Sequence, residues 1–104
     1  MATTTKALYR GAAATSNTTL YTVPNSSTTT VVTNIAITNT AASSATATIN
    51  IDSVAVLSGV SVAANTTTFV DLKQVIPANS TPKTVSGSAS ATTVNFHISG
   101  VEIS

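Results

Sequence analysis

The sequence predicts an all-β protein, an antiparallel β-sandwich or small jelly roll of about eight strands. Three observations predict it. Threonine (22) and serine (14) exceed a third of the 104 residues, and 19 valines and isoleucines bring β-branched side chains to dominance. Such residues suit a pleated, half-buried surface and are stiff in a helix. Apolar and polar side chains alternate in steps of two in the clearest segments. Turn-forming clusters recur roughly every ten residues, the spacing of small sandwiches.

Taken in order, the strands are expected at Ala7–Arg10, Thr19–Val23, Val31–Thr38, Ala45–Asp52, Val54–Leu57, Thr66–Leu72, Lys83–Ser86 and Thr92–Ile103. In Val31–Thr38 the residues Val31, Thr33, Ile35 and Ile37 share the face expected to be buried. Asn34 lies on the other face, where a carboxylate should be tolerated. Ala47, Ile49 and Ile51 repeat the pattern, and Asn39–Ser44 between the two segments is long enough for a hairpin loop. Breaks are expected at Pro24-Asn25-Ser26, Ser58-Gly59, Ala63-Ala64-Asn65, Pro77-Ala78-Asn79-Ser80 and Gly87. In the last strand Val94, Phe96 and Ile98 alternate, whereas Val101 and Ile103 fall on the opposite parity, so a bulge is expected at Gly100. The alanine runs are too short to nucleate a helix. Residues 1–5 are polar and read as an extended arm ahead of a single sandwich over 1–104. Val23-Pro24-Asn25-Ser26-Ser27 and Ile76-Pro77-Ala78-Asn79-Ser80 echo each other and suggest two equivalent corners.

A chain this short buries a modest core, and without cysteine it has neither disulfides nor a thiolate chemistry. Oligomerisation is the expected supplement. Charged residues are only 7% of the chain, against roughly a quarter in an ordinary domain. A net charge of +1 from scattered basic residues argues against nucleic acid and against an anionic membrane as partners. The N-terminus has no secretory-signal pattern and no apolar run approaches the ~20 residues of a membrane span. A protein made in a host cytoplasm and soluble there is the expectation.

The residues that carry chemistry are few. His97, the only histidine, invites a hydrolase reading with a serine and Asp52 or Asp71, yet there is no Gly-x-Ser-x-Gly elbow and no second histidine for a metal. It reads as a surface or subunit-contact histidine. Asp52, Asp71 and Glu102 are far apart in sequence and form no paired-carboxylate or calcium motif. The sequence therefore assigns no catalytic, cofactor-binding or metal-ligating residue, and the chain reads as a non-enzyme. Asn17-Thr18-Thr19, Asn25-Ser26-Ser27, Asn65-Thr66-Thr67 and Asn79-Ser80-Thr81 match the glycosylation pattern by chance of composition; their content is turn chemistry. Tyr9, Tyr21, Phe69 and Phe96 read as core anchors, with a stacking platform as the rival.

Thr19-Leu20-Tyr21-Thr22-Val23-Pro24, followed by Thr29-Thr30-Val31-Val32-Thr33-Asn34-Ile35 and an expected Thr/Ala-rich hairpin, resembles small structural proteins of tailed bacteriophages. The closing stretch from Val94 to Ser104 is similar to the end of the same group, and the likeness runs from about Thr18 onward. It implies a β-sandwich virion component. The leading expectation is a capsid decoration or cement protein, a homo-oligomer with a trimer favoured, contacting the major capsid protein. A tail, fibre or baseplate module contacting tail proteins and the host surface is the alternative.

Overall fold

The structure, a computed structural model, describes residues 2–104. Eight strands form: β1 (Thr3–Ala12), β2 (Thr18–Thr22), β3 (Thr29–Asn39), β4 (Ala45–Ile51), β5 (Val54–Val62), β6 (Thr66–Ile76), β7 (Thr84–Ala89) and β8 (Val94–Ile103). They make two four-stranded antiparallel sheets, sheet I in the order β1-β8-β3-β6 and sheet II in the order β2-β7-β4-β5. Every connection except β4–β5 passes from one sheet to the other. The result is an eight-stranded jelly roll, as the composition and alternation predict.

The pairing has a simple logic. β1 pairs with β8, β2 with β7, β3 with β6 and β4 with β5, so each residue meets a partner near its mirror position in the chain, from Thr3↔Ile103 to Ile51↔Val54. The chain is one long hairpin folded over on itself. At its tip, Asp52 and Ser53 both have positive φ (52° and 62°), the two-residue turn whose twist matches the flanking strands. Two further ladders, β3 with β8 and β4 with β7, close the roll.

The folds of the long hairpin are pinned by backbone hydrogen bonds between its two arms. Ala13 N donates to Val94 O, Val23 N to Lys83 O and Asn65 N to Ala41 O. Asn25 and Asn79 each turn their own chain, Oδ1 accepting from Ser27 N at 3.0 Å and from Thr81 N at 2.9 Å, and Asn65 takes φ 53°. The echoing Val23-Pro24 and Ile76-Pro77 corners lie on the two arms of the same fold, with Val23 and Ile76 both buried. Asn39 is fully buried yet satisfied: its amide donates to Ser43 O and Val62 O while its Oδ1 accepts from Ala41 N and Thr93 Oγ1. No buried side-chain polar atom among the described residues lacks a partner.

Between the sheets pack Val32, Ile35, Ile37, Ile49, Val62, Val85, Val94, Phe96 and Ile98, all essentially inaccessible. Several expectations need correcting. Asn39–Ser44 is a crossing between sheets, not a hairpin loop, because β3 pairs with β6 and β8 while β4 pairs with β5 and β7. In β3 the buried set is Thr30 and Val32, then Ile35, Ile37 and Asn39, so Val31 faces out and Thr33 is the residue where the parity changes. Ser58-Gly59 and Gly87 do not end strands. Gly59 is an irregularity with φ 60° within β5, and Gly87 lies inside β7 because a Cβ there would sit 2.7 Å from Thr48 O. Thr3–Thr5 do not form a loose arm: they pair with Val101, Glu102 and Ile103 of β8. Met1, the first residue of that expected arm, lies outside the described residues.

The irregularity expected at Gly100 is real, but the neighbours carry it. Relative to β8, β1 has an extra residue at Leu8 and β3 one at Thr33, and β6 is out of step with β3 between Asp71 and Gln74. These offsets align into a crease across sheet I. Gly100 lies in the crease, where an added Cβ would come 2.3 Å from Val31 O and 2.8 Å from the Leu8 side chain.

Two outcomes follow for stability. Ile35→Asp forces an unpaired carboxylate into the core and is expected to give unfolded or insoluble protein, whereas Ala36→Asp, on the outer face, keeps a cooperative thermal melt by circular dichroism. Asn34→Asp is no longer the right control, since Asn34 donates to Asp71 at 3.0 Å and a carboxylate there meets like charge. Gly100→Ala is expected to lower stability by about 1–3 kcal/mol in a denaturant titration, since backbone must move to admit the methyl group.

Candidate interaction surface

The antiparallel registers set the outer face of sheet I in rows. One row runs Arg10, His97, Ala36, Phe69; the next runs Ala7, Ser99, Asn34, Asp71; another runs Thr5, Val101, Val31, Val75. Phe69 is 70% exposed and Val75 60%, the largest apolar exposures on this face. Both belong to β6, an edge strand. Along the crease lie two open depressions of about 430 and 400 Å³, which share Thr33; the first is lined by Asp71, Leu72 and Lys73, the second by Arg10, Ser99 and Val101 among others.

The residues that carry chemistry stay apart. His97 is exposed on the outer face between Arg10 and Ala36. Asp71 is two strands away and one row along, held by Asn34. Asp52 sits at the hairpin tip, 3.4 Å from Lys83. Among the described residues no three His, Cys, Asp or Glu side chains gather in a way that holds a metal ion. The aromatics form no stacking platform. Phe96 and Tyr21 are buried, Tyr9 packs on the core, and Phe69 alone faces outward, correcting its reading as a core anchor. The signal was available: Phe69 shares its parity with Asp71 and Lys73, which belong on a wet face.

Glu102 takes part in a polar network that ties the two sheets together at one end of the roll. Its carboxylate accepts from the buried Tyr21 hydroxyl of sheet II and lies 3.3 Å from Lys6 Nζ, while Tyr21 Oη also bonds Thr30 Oγ1 at 2.9 Å. Burial, and then the hydrogen bond to Glu102, push the Tyr21 phenol up to about 12. Its role is structural: four strands, β1, β2, β3 and β8, contribute one member each.

No protein-family model matches the sequence, and no curated protein matches it. Solved structures do match in fold. A chain of the T13 particle of infectious bursal disease virus superposes with a TM-score of 0.56 at 14% identity, and a chain of the Gx strain of that virus with 0.50 at 18% identity. In both cases 97% of this chain is covered but only 30% of the longer viral chain. At such identities the likeness establishes the shared jelly roll.

Tyr21→Phe removes the hydroxyl that joins the sheets and leaves Glu102 short of a donor, so it is expected to lower stability by about 1–3 kcal/mol at neutral pH. The folded phenol titrates above its ordinary value of 10, so its contribution is complete below about pH 10 and is lost as pH rises through about 12. Denaturant titrations of both proteins across this range are expected to converge; a gap that stays constant to pH 12 would remove Tyr21 from the linkage.

Proposed function

We propose that the chain is a virion structural protein, a capsid decoration or cement protein of a tailed bacteriophage, that binds the major capsid protein as a homo-oligomer, with a threefold arrangement favoured. The observation that carries this reading is a jelly roll shared over nearly the whole chain with chains of a virus particle. Its composition agrees. With seven charged residues in all, contacts with neighbours rest on hydroxyls, amides and small apolar groups, which add up when a lattice repeats them. The outer face of sheet I, with Phe69 and Val75 exposed, is suited to contact. Among the described residues no helix is long and apolar enough to cross a membrane. Of the four basic residues, Lys6 and Lys83 lie beside carboxylates, which leaves little positive field to attract a phosphate backbone.

Gel densitometry of purified particles tests the assignment. Hundreds of copies per particle are expected for a capsid lattice component, and a few tens or fewer would place it in the tail and overturn the decoration reading. Because area burial and hydrogen bonds carry the contacts, a wash in roughly molar sodium chloride, where the screening length falls to about 3 Å, should leave the protein on the particle.

A further inference from the structure

Each sheet of the roll ends in two strands with a bare backbone edge, and such edges pair with other chains unless guarded. Three of the four are poor sites for self-pairing. β1 carries Lys6 and Arg10 and no acid, β2 has only five residues, and β5 is interrupted by Gly59 at positive φ and out of step with β4 at two places. The fourth, β6, runs eleven residues with a single offset from its neighbour, between Asp71 and Gln74, and with side chains that alternate in burial from Thr67 to Val75 with one exception, the exposed Gln74. On its outer face stand Phe69, Asp71, Lys73 and Val75, an apolar, acidic, basic, apolar series.

That series is complementary to its own reverse, acid meeting base and apolar meeting apolar. The geometry points to a second copy of this chain as the partner of β6, in an antiparallel pairing of β6 with β6 about a twofold axis through Leu72. In this register Phe69 lies opposite Val75 of the second copy and Asp71 opposite its Lys73, and the twofold repeats both pairs. Cross-strand apolar and opposite-charge pairs are the units that stabilise a sheet. The two four-stranded sheets merge into one of eight, and the exposed rings and methyl groups of Phe69 and Val75 cover each other. The register is specified by charge. A slip of two residues, the smallest that keeps outer face with outer face, sets Asp71 against Asp71 in one direction and Lys73 against Lys73 in the other. This contact is isologous and closed, so β6 joins two copies and does not propagate as a fibre, and a threefold arrangement is made by other surfaces. It goes beyond the virion role and does not rest on it, since purified chain in solution is enough to test it.

The chain has no cysteine, so introduced thiols report cleanly. Directly opposed residues of an antiparallel pair have Cα atoms about 4.5–5.5 Å apart, within disulfide range. Asp71→Cys and Lys73→Cys proteins, mixed and oxidised, are expected to give a cross-linked mixed dimer, and far less product when each is oxidised alone. In sedimentation, Asp71→Lys and Lys73→Asp are each expected to weaken the wild-type dimer about tenfold, since each sets like charges opposite one another twice. The double variant Asp71→Lys/Lys73→Asp is expected to restore it, which damage to the fold cannot do. Association through other surfaces leaves these readouts intact, because the cross-link reports β6 alone. No mixed cross-link, or a double variant no tighter than the singles, would overturn the proposal.

Discussion

The backbone ladder between the first and second halves of the chain is the constraint on which the remaining structure depends. Because every strand pairs with its mirror partner, sheet I is complete only when segments as distant as Thr3 and Ile103 have met. β3 and β8 then occupy the interior of sheet I, each paired on both sides, and four of the six largest fully buried side chains, Phe96, Ile35, Ile37 and Ile98, come from those two strands. The core is a product of this pairing. Long-range pairing of this kind carries a high loop-closure cost before contacts offset it, so slow, cooperative folding is in keeping with the topology.

The strands were legible in the sequence and their partners were not. Alternation reveals which side chains share a face; it carries no label for the strand across the gap. This is why Ala45–Ile51 was recognisable as a strand while the segment before it passed for a hairpin loop. Turn chemistry was legible where an asparagine makes the turn, by its side chain at Asn25 and Asn79 and by its positive φ at Asn65, and misleading at Gly87, where the missing Cβ serves close approach to Thr48 and not a reversal. The parity change near Gly100 was visible in β8, but its cause lay in residues of β1 and β3 that sequence distance hides. The candidate surface was hidden for the same reason. Its rows, such as Arg10, His97, Ala36 and Phe69, exist only once four registers are set.

Scarcity of charge shapes the polar interior as well. Asn39, Thr30 and Tyr21 do inside the roll what ion pairs do in more charged proteins, joining elements that the backbone ladder does not. Neutral groups suffer a smaller desolvation penalty than buried ions, provided that every lone pair and proton finds a partner. Here each buried side-chain polar atom among the described residues has a partner, and the bonds of Tyr21 and Asn39 join the two sheets.

Ala2 and Ser104 exchange a pair of backbone hydrogen bonds, Ala2 N to Ser104 O at 2.7 Å and Ser104 N to Ala2 O at 2.9 Å. A fold whose entry and exit lie side by side behaves as a cassette: it can be spliced into a surface loop of a larger polypeptide through two short joints without prising the host apart, and its own ends can be ligated and reopened elsewhere. The hairpin tip at Asp52-Ser53, at the opposite end of the ladder in sequence terms, is the natural point of reopening, since cutting there severs no interior strand.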